Sequence, residues 1–71
     1  MVVIDLSRAK EIAMKFLEQY NAPVTVNSAY LEDIVWIVVA EIGLVNKQTI
    51  RVRIDSTNGR VLSYNSVEPV R

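Results

Sequence analysis

Apolar residues in the first third of the chain recur with the period of an α-helix. Between Ser7 and Asn21 they fall at i, i+3, i+4, i+7, i+8 and i+11, which is the stripe of an amphipathic helix. Ser7 or Asp5 can accept hydrogen bonds from the first amides of this segment, and Pro23 follows its end. The pattern predicts one helix over residues 7–21. Its apolar stripe is Ala9, Ile12, Ala13, Phe16, Leu17 and Tyr20.

After Pro23 the pattern changes to short segments rich in β-branched and aromatic residues, separated by turn residues. Connections this short favour antiparallel neighbours, because a parallel crossover needs about a dozen residues or more. The sequence therefore predicts an α+β fold: one N-terminal helix packed on one face of a four-stranded antiparallel β-meander. The predicted strands are residues 24–30, 34–42, 48–55 and 60–66.

The third predicted strand and the turn after it indicate how the sheet is oriented. Apolar and polar residues alternate along 48–55, so one side of this strand meets the helix. A three-residue loop at 57–59, with its glycine in the left-handed conformation, places Ile54 opposite Leu62 and Val52 opposite Tyr64. A two-residue Asn-Gly turn would place Ile54 opposite a serine instead. The three-residue loop is preferred because it keeps apolar residues on one face.

The same turn could also be a metal-binding loop, so its carboxylates matter. Asp55 is the only carboxylate in it, whereas an EF-hand loop has oxygen ligands at alternate positions and ends in a bidentate glutamate. We therefore interpret it as a structural turn in which Asp55 accepts hydrogen bonds from the turn amides. The chain contains no cysteine and no histidine. We accordingly expect no metal, no cofactor, no small-molecule substrate and no catalytic residue, and hence no enzymatic activity.

Composition and charge limit the remaining classes of function. Half of the 71 residues are hydrophobic (51%), and eight basic residues balance eight acidic ones. Residues 1–71 are therefore expected to form a single folded domain without a strong field for polyanions. The longest apolar run, 34–40, is too short for a membrane-spanning helix. The initial methionine favours a cytoplasmic protein, and an extracytoplasmic location stays open because a removed signal peptide would leave no trace.

Three segments together resemble the PepSY domain family. They are "SRAKEIAMKFL", with Ala9 and Ala13 four residues apart, "VWIVVAE", with a Trp-x-Val pattern, and "VRIDSTNGRVLSY", with a Val-x-Ile-Asp-x-x-x-Gly-x-Val-Leu hairpin. Asn58 stands where that family more often has threonine. The resemblance covers nearly the whole chain and implies a helix on an antiparallel sheet. It also implies a non-catalytic module that binds and restrains a peptidase, and it supplies no catalytic residues.

The second predicted strand is apolar on both faces, although a single helix can cover only one. If Trp36 and Val38 face the helix, then three aliphatic residues lie on the open face beside two arginines of the next strand. Such a surface favours binding of a protein partner or weak self-association into a homodimer, and a free edge strand could also accept a peptide. In the alternative interpretation, the arginine side chains lie over the aliphatic residues and shield a monomer. The predicted interface residues are Val35, Ile37, Val39, Arg51 and Arg53.

A second candidate function is that of a small nucleic-acid-associated protein. Its basic residues would be Lys47, Arg51, Arg53 and Arg60. Only two tyrosines are placed to stack on bases, and acidic residues lie among the basic ones. Nucleic acid is therefore the less favoured partner.

Overall fold

The computed structural model describes residues 3–67 and confirms the predicted α+β fold, with one helix followed by a four-stranded antiparallel meander. The helix ends in a short 3-10 turn, and each strand pairs with the next strand along the chain. The elements are helix α1 (Leu6–Leu17), the 3-10 turn (Glu18–Tyr20), β1 (Val24–Glu32), β2 (Val35–Ile42), β3 (Gln48–Asp55) and β4 (Val61–Val67).

Local interactions set both ends of the helix. Asp5 has an extended backbone, and its carboxylate accepts a hydrogen bond from the Arg8 amide at 2.8 Å, so Asp5 rather than Ser7 is the N-cap. After Leu17 the chain tightens into the 3-10 turn. Asn21 follows with φ 54° and ψ 42°, a left-handed conformation that asparagine tolerates better than most residues. The helical segment therefore runs from Leu6 to Tyr20, within one residue of the predicted bounds 7–21, although its last turn is not α-helical.

The helix covers only one face of the sheet. Small and aliphatic side chains of α1 pack there against alternate residues of the two central strands, since successive side chains in a strand point to opposite faces. Trp36, Val24, Val26 and Ala29 pack around this core. Its buried members are Ala9, Ala13, Leu17, Val38, Ala40, Ile42, Ile50, Val52 and Ile54.

The β3–β4 hairpin confirms part of the predicted register and corrects the rest. Val52 lies opposite Tyr64 as predicted, but Ile54 lies opposite Val61 rather than Leu62. The loop has one residue more than predicted, since the Asp55 amide bonds the Arg60 carbonyl at 2.8 Å. A β-bulge at Leu62 offsets this extra residue and restores the predicted alternation farther along β4.

The N-terminal segment is attached to the end of the sheet where this hairpin turns. The amides of Val3 and Ile4 both donate to the Ser56 carbonyl at 2.9 Å, and Trp36 Nε1 donates to the Ile4 carbonyl at 2.7 Å. Ser56 is fully buried, and its own amide donates to the Ile34 carbonyl at 3.0 Å. These bonds link the start of the helix to β2 and to the turn that follows β3, which fixes its position over the sheet.

Candidate protein-interaction surface

The open face of the sheet, on the side away from the helix, contains all five residues of the predicted interface. Val35, Ile37 and Val39 lie along β2, and Arg51 and Arg53 lie beside them on β3. The register builds two rows across the sheet: Tyr30, Ile37, Arg53 and Ser63, then Ser28, Val39, Arg51 and Asn65.

The exposed apolar area of this face is smaller than the sequence predicts. Ile37 is only 3% exposed, while Val35 and Val39 are half-buried. Ile37 lies between Tyr30 and Arg53 in its row, and the stems of such long side chains can cover an aliphatic neighbour. The expectation of three exposed aliphatic residues is therefore wrong at Ile37. Its burial agrees with the alternative interpretation, in which arginine side chains of this face shield the aliphatic residues.

The two arginines of this face have no ionic partner among residues 3–67. Within that range the only ion pair joins Arg8 to Glu11, one turn apart on the helix. Arg53 is exposed. Arg51 is half-buried, and its Nε atom is buried without a hydrogen-bond acceptor in the described part of the chain. A buried donor left without an acceptor is unfavourable, so the position of the Arg51 side chain carries a local cost in stability.

The four basic residues of the nucleic-acid alternative do not converge. Arg51 and Arg53 share a face of β3, but Lys47 precedes that strand and Arg60 follows the turn beyond its other end. Lys47 and Arg60 lie at opposite ends of this eight-residue strand, which places them roughly 26 Å apart at about 3.3 Å per residue. The structure therefore forms a pair of arginines and not a continuous basic patch.

The two outer strands differ in how their free edges are protected. Within residues 3–67, β1 pairs only with β2, and β4 pairs only with β3. A bulge at Asn27 interrupts β1, and Glu32 places a charge at its end. In contrast, β4 (VLSYNSV) contains no charged residue and no proline, and five consecutive residues, 62–66, are exposed. Charges, prolines and bulges are the usual means of preventing a free edge from pairing with another strand, and β4 beyond Leu62 has none of them.

The helix side of β4 is also partly open. Tyr64 shares the helix-facing side with Val52, and its ring meets that of Phe16 edge-on with centroids 4.9 Å apart. Tyr64 is nevertheless 51% exposed, because the helix lies mainly over β1, β2 and β3. An aromatic surface therefore borders the free edge on this side, while Ser63 and Asn65 border it on the open face.

The turn after β3 has the hydrogen bonds of a structural turn. The amide and the hydroxyl of Thr57 both donate to Asp55 Oδ1, at 2.8 Å and 2.6 Å, and Gly59 has φ 77°. The two bonds from Thr57, and to a lesser extent the nearby Arg60, lower the pKa of the Asp55 carboxyl below its usual value of 3.8. Within residues 3–67, no three acidic side chains come together as metal ligands could. Asp55 therefore acts here as a turn-stabilising acceptor.

Comparison with protein-family models, curated proteins and solved structures finds no match to this chain. The resemblance to PepSY domains therefore rests on the three quoted segments, and the restraint of a peptidase stays an expectation. In the part of the chain that the structure describes, no helix is long and apolar enough to cross a membrane.

Sequence reasoning named an edge strand as a binding site without identifying which edge. The signal was present, since residues 61–67 lack both charge and proline. It could be used only once the strand order had placed β4 at the border of the sheet. The bulge in β1 leaves no comparable signal, because a polar residue such as Asn27 fits a regular strand equally well.

Proposed function

We propose that this chain is a non-catalytic protein-interaction module that binds an extended polypeptide segment by strand addition to β4. The observation that carries the proposal is the free edge of β4, which is exposed, uncharged and without proline. Strand addition uses main-chain hydrogen bonds for affinity, and the side chains that border the edge provide specificity. Of the predicted open-face residues, Arg51 and Arg53 lie on β3, the strand next to β4, whereas Val35, Ile37 and Val39 lie one strand farther from the bound segment, on β2.

Strand addition to β4 does not require a partner to bury the aliphatic side chains of β2. With Ile37 at 3% exposure, the centre of that face has little apolar area left to bury. The edge of β4 instead offers unpaired backbone groups along about 20 Å, the length of a strand of this size. Affinity therefore comes mainly from the backbone, with Arg53 and Tyr64 available on the two sides.

The test uses a short neutral peptide in which valine alternates with glutamine, added to the ¹⁵N-labelled protein. We expect amide shifts along residues 63–66 and not along β1, with an affinity that backbone N-methylation of the peptide abolishes. Asn65→Lys places a charge at the β4 edge and should weaken binding. Thr25→Lys is the matched control, because it adds the same charge on the same sheet face at the edge of β1. Equal binding by both variants, or shifts confined to β1, would refute the proposal.

Restraint of a peptidase is the specific form of this function that the PepSY resemblance implies. Hydrolysis of a fluorogenic peptide by a thermolysin-like metallopeptidase should slow when the chain is added, and Asn65→Lys should remove the inhibition. No inhibition across several such enzymes, alongside peptide binding at β4, would reject the peptidase role and retain the docking function.

A further inference from the structure

We propose that the segment bound at β4 alternates acidic and apolar residues, with its carboxylates paired to Arg51 and Arg53 and its apolar side chains beside Tyr64. This inference rests on the proposed function, because it identifies the chemistry of the segment that β4 would accept.

The open face of the sheet favours acidic residues at alternate positions of the bound segment. Arg51 and Arg53 have no ionic partner among residues 3–67 and lie two residues apart, so their spacing of roughly 7 Å matches that of alternate residues in a facing strand. An added strand would lie about 9.6 Å from β3, which is twice the separation of adjacent strands. The intervening residues of β4 on this face, Ser63 and Asn65, have short side chains. An arginine and a glutamate can therefore meet above them, and guanidinium groups are well suited to bidentate pairing with carboxylates.

The helix-facing side of the sheet favours apolar residues at the remaining positions of the bound segment. Residues of an added strand that alternate with the acidic ones point to the side of Tyr64, which is half-exposed and in contact with Phe16. Aliphatic or aromatic side chains there would cover the exposed half of this aromatic pair. A uniformly acidic segment would instead place carboxylates against an apolar ring, which is unfavourable.

A second copy of the chain fits this edge less well than an acidic segment does. Pairing β4 with β4 of another copy would bring residues 61–67 opposite one another, and these contain no carboxylate. Residues 61–67 of the second copy would therefore provide no ionic partner for either pair of arginines. Charge complementarity therefore favours a different, acidic segment as the occupant.

The experiment compares the neutral valine and glutamine peptide with its counterpart in which glutamate replaces glutamine, at low salt. We expect the glutamate peptide to bind roughly four- to twentyfold more tightly, since each exposed ion pair contributes up to about fivefold. Arg53→Gln and Arg51→Gln should each reduce that preference by about two- to fivefold, and added salt should reduce it as well. Lys10→Gln is the matched control, because this exposed lysine lies on the helix and its loss changes the net charge equally.

Four outcomes would overturn the inference. Equal affinity for the two peptides would show that the edge binds without using the arginines, which leaves the proposed function in place. A loss with Lys10→Gln as large as with Arg53→Gln would indicate a general charge effect. Concentration-dependent sedimentation that Asn65→Lys abolishes would show that a second copy occupies the edge. Binding of neither peptide would overturn both this inference and the proposed function.

Discussion

Replacing Ile37 by alanine tests whether the open face of the sheet has a small core of its own. Ile37 is 3% exposed although it lies on the side opposite the helix. Truncation of a buried isoleucine to alanine costs about 2–5 kcal/mol, with the lower values at sites that can collapse into the cavity. The flanking Tyr30 and Arg53 have flexible side chains that can move inward, so we expect a loss of about 2 kcal/mol in the free energy of unfolding.

Ile50→Ala provides the matched comparison. Ile50 is 1% exposed but lies on the helix side, where the cavity would be walled by the helix and two neighbouring strands. Its truncation should cost about 3–4 kcal/mol. Urea unfolding followed by far-UV circular dichroism at two protein concentrations measures both losses.

Substitutions of Arg53 test whether the apolar stem of this side chain, rather than its charge, shields Ile37. Arg53→Met retains a long apolar stem without the charge and should leave stability within about 0.5 kcal/mol of the original, whereas Arg53→Ala should cost about 0.5–1 kcal/mol. The reasoning would be refuted by an Ile37→Ala loss below about 0.5 kcal/mol. An unfolding midpoint that rises with protein concentration would also refute it, because burial would then come from a second copy.

Three further predictions concern the end of the sheet where the hairpin turns. Gly59→Ala should destabilise the fold by about 1 kcal/mol or more in urea unfolding, because φ is 77° and the added Cβ would lie 3.2 Å from Ile12 Cδ1; unchanged stability would contradict this. The pKa of Asp55 is lowered in the folded chain, so its carboxylate contributes stability above pH 3.8 that is lost as the pH falls toward the folded pKa. The difference in melting temperature between the original chain and Asp55→Asn should therefore shrink below that pH, and a constant difference would exclude the carboxylate as its cause. Trp36→Phe removes the 2.7 Å bond to the Ile4 carbonyl and should cost about 1 kcal/mol, measured by circular dichroism; unchanged stability would show that the bond does not hold the N-terminal segment in place.

The helix and the strands could be predicted from the sequence because the apolar residues of each element recur with the period that places them on one contiguous face. The apolar stripe of α1 and the alternation of β3 both point to the same buried side, and the structure places them together. The four strand predictions differ from the observed bounds by two residues at most, as at the end of β1. Short connections then left an antiparallel meander as the natural topology.

The two bulges and the burial of Ile37 could not be predicted in the same way. A bulge adds one residue to a strand without changing its composition. In the β3–β4 hairpin the extra loop residue and the bulge at Leu62 cancel in the strand register, so the sequence pattern does not reveal either of them. Alternation patterns indicate the face on which the Ile37 side chain lies, but they carry no information about how far its neighbours cover it. The five candidate interface residues do share the open face, but part of their apolar surface is already covered.

Binding at β4 should raise the melting temperature of the chain, because a ligand that binds only the folded state stabilises it by RT ln(1 + [L]/Kd). At a free peptide concentration tenfold above Kd this amounts to about 1.4 kcal/mol, which corresponds to roughly 6–11 °C for a domain of this size. The neutral valine and glutamine peptide should produce this shift in the original chain and in Thr25→Lys, and a much smaller one in Asn65→Lys. A domain of this size buries only about 60% of the surface that its unfolded chain exposes and has little stability to spare, so backbone bonds from a partner add measurably to it. An equal shift in both lysine variants would place the peptide elsewhere on the protein, and the free edge of β4 would then have no part in recognition.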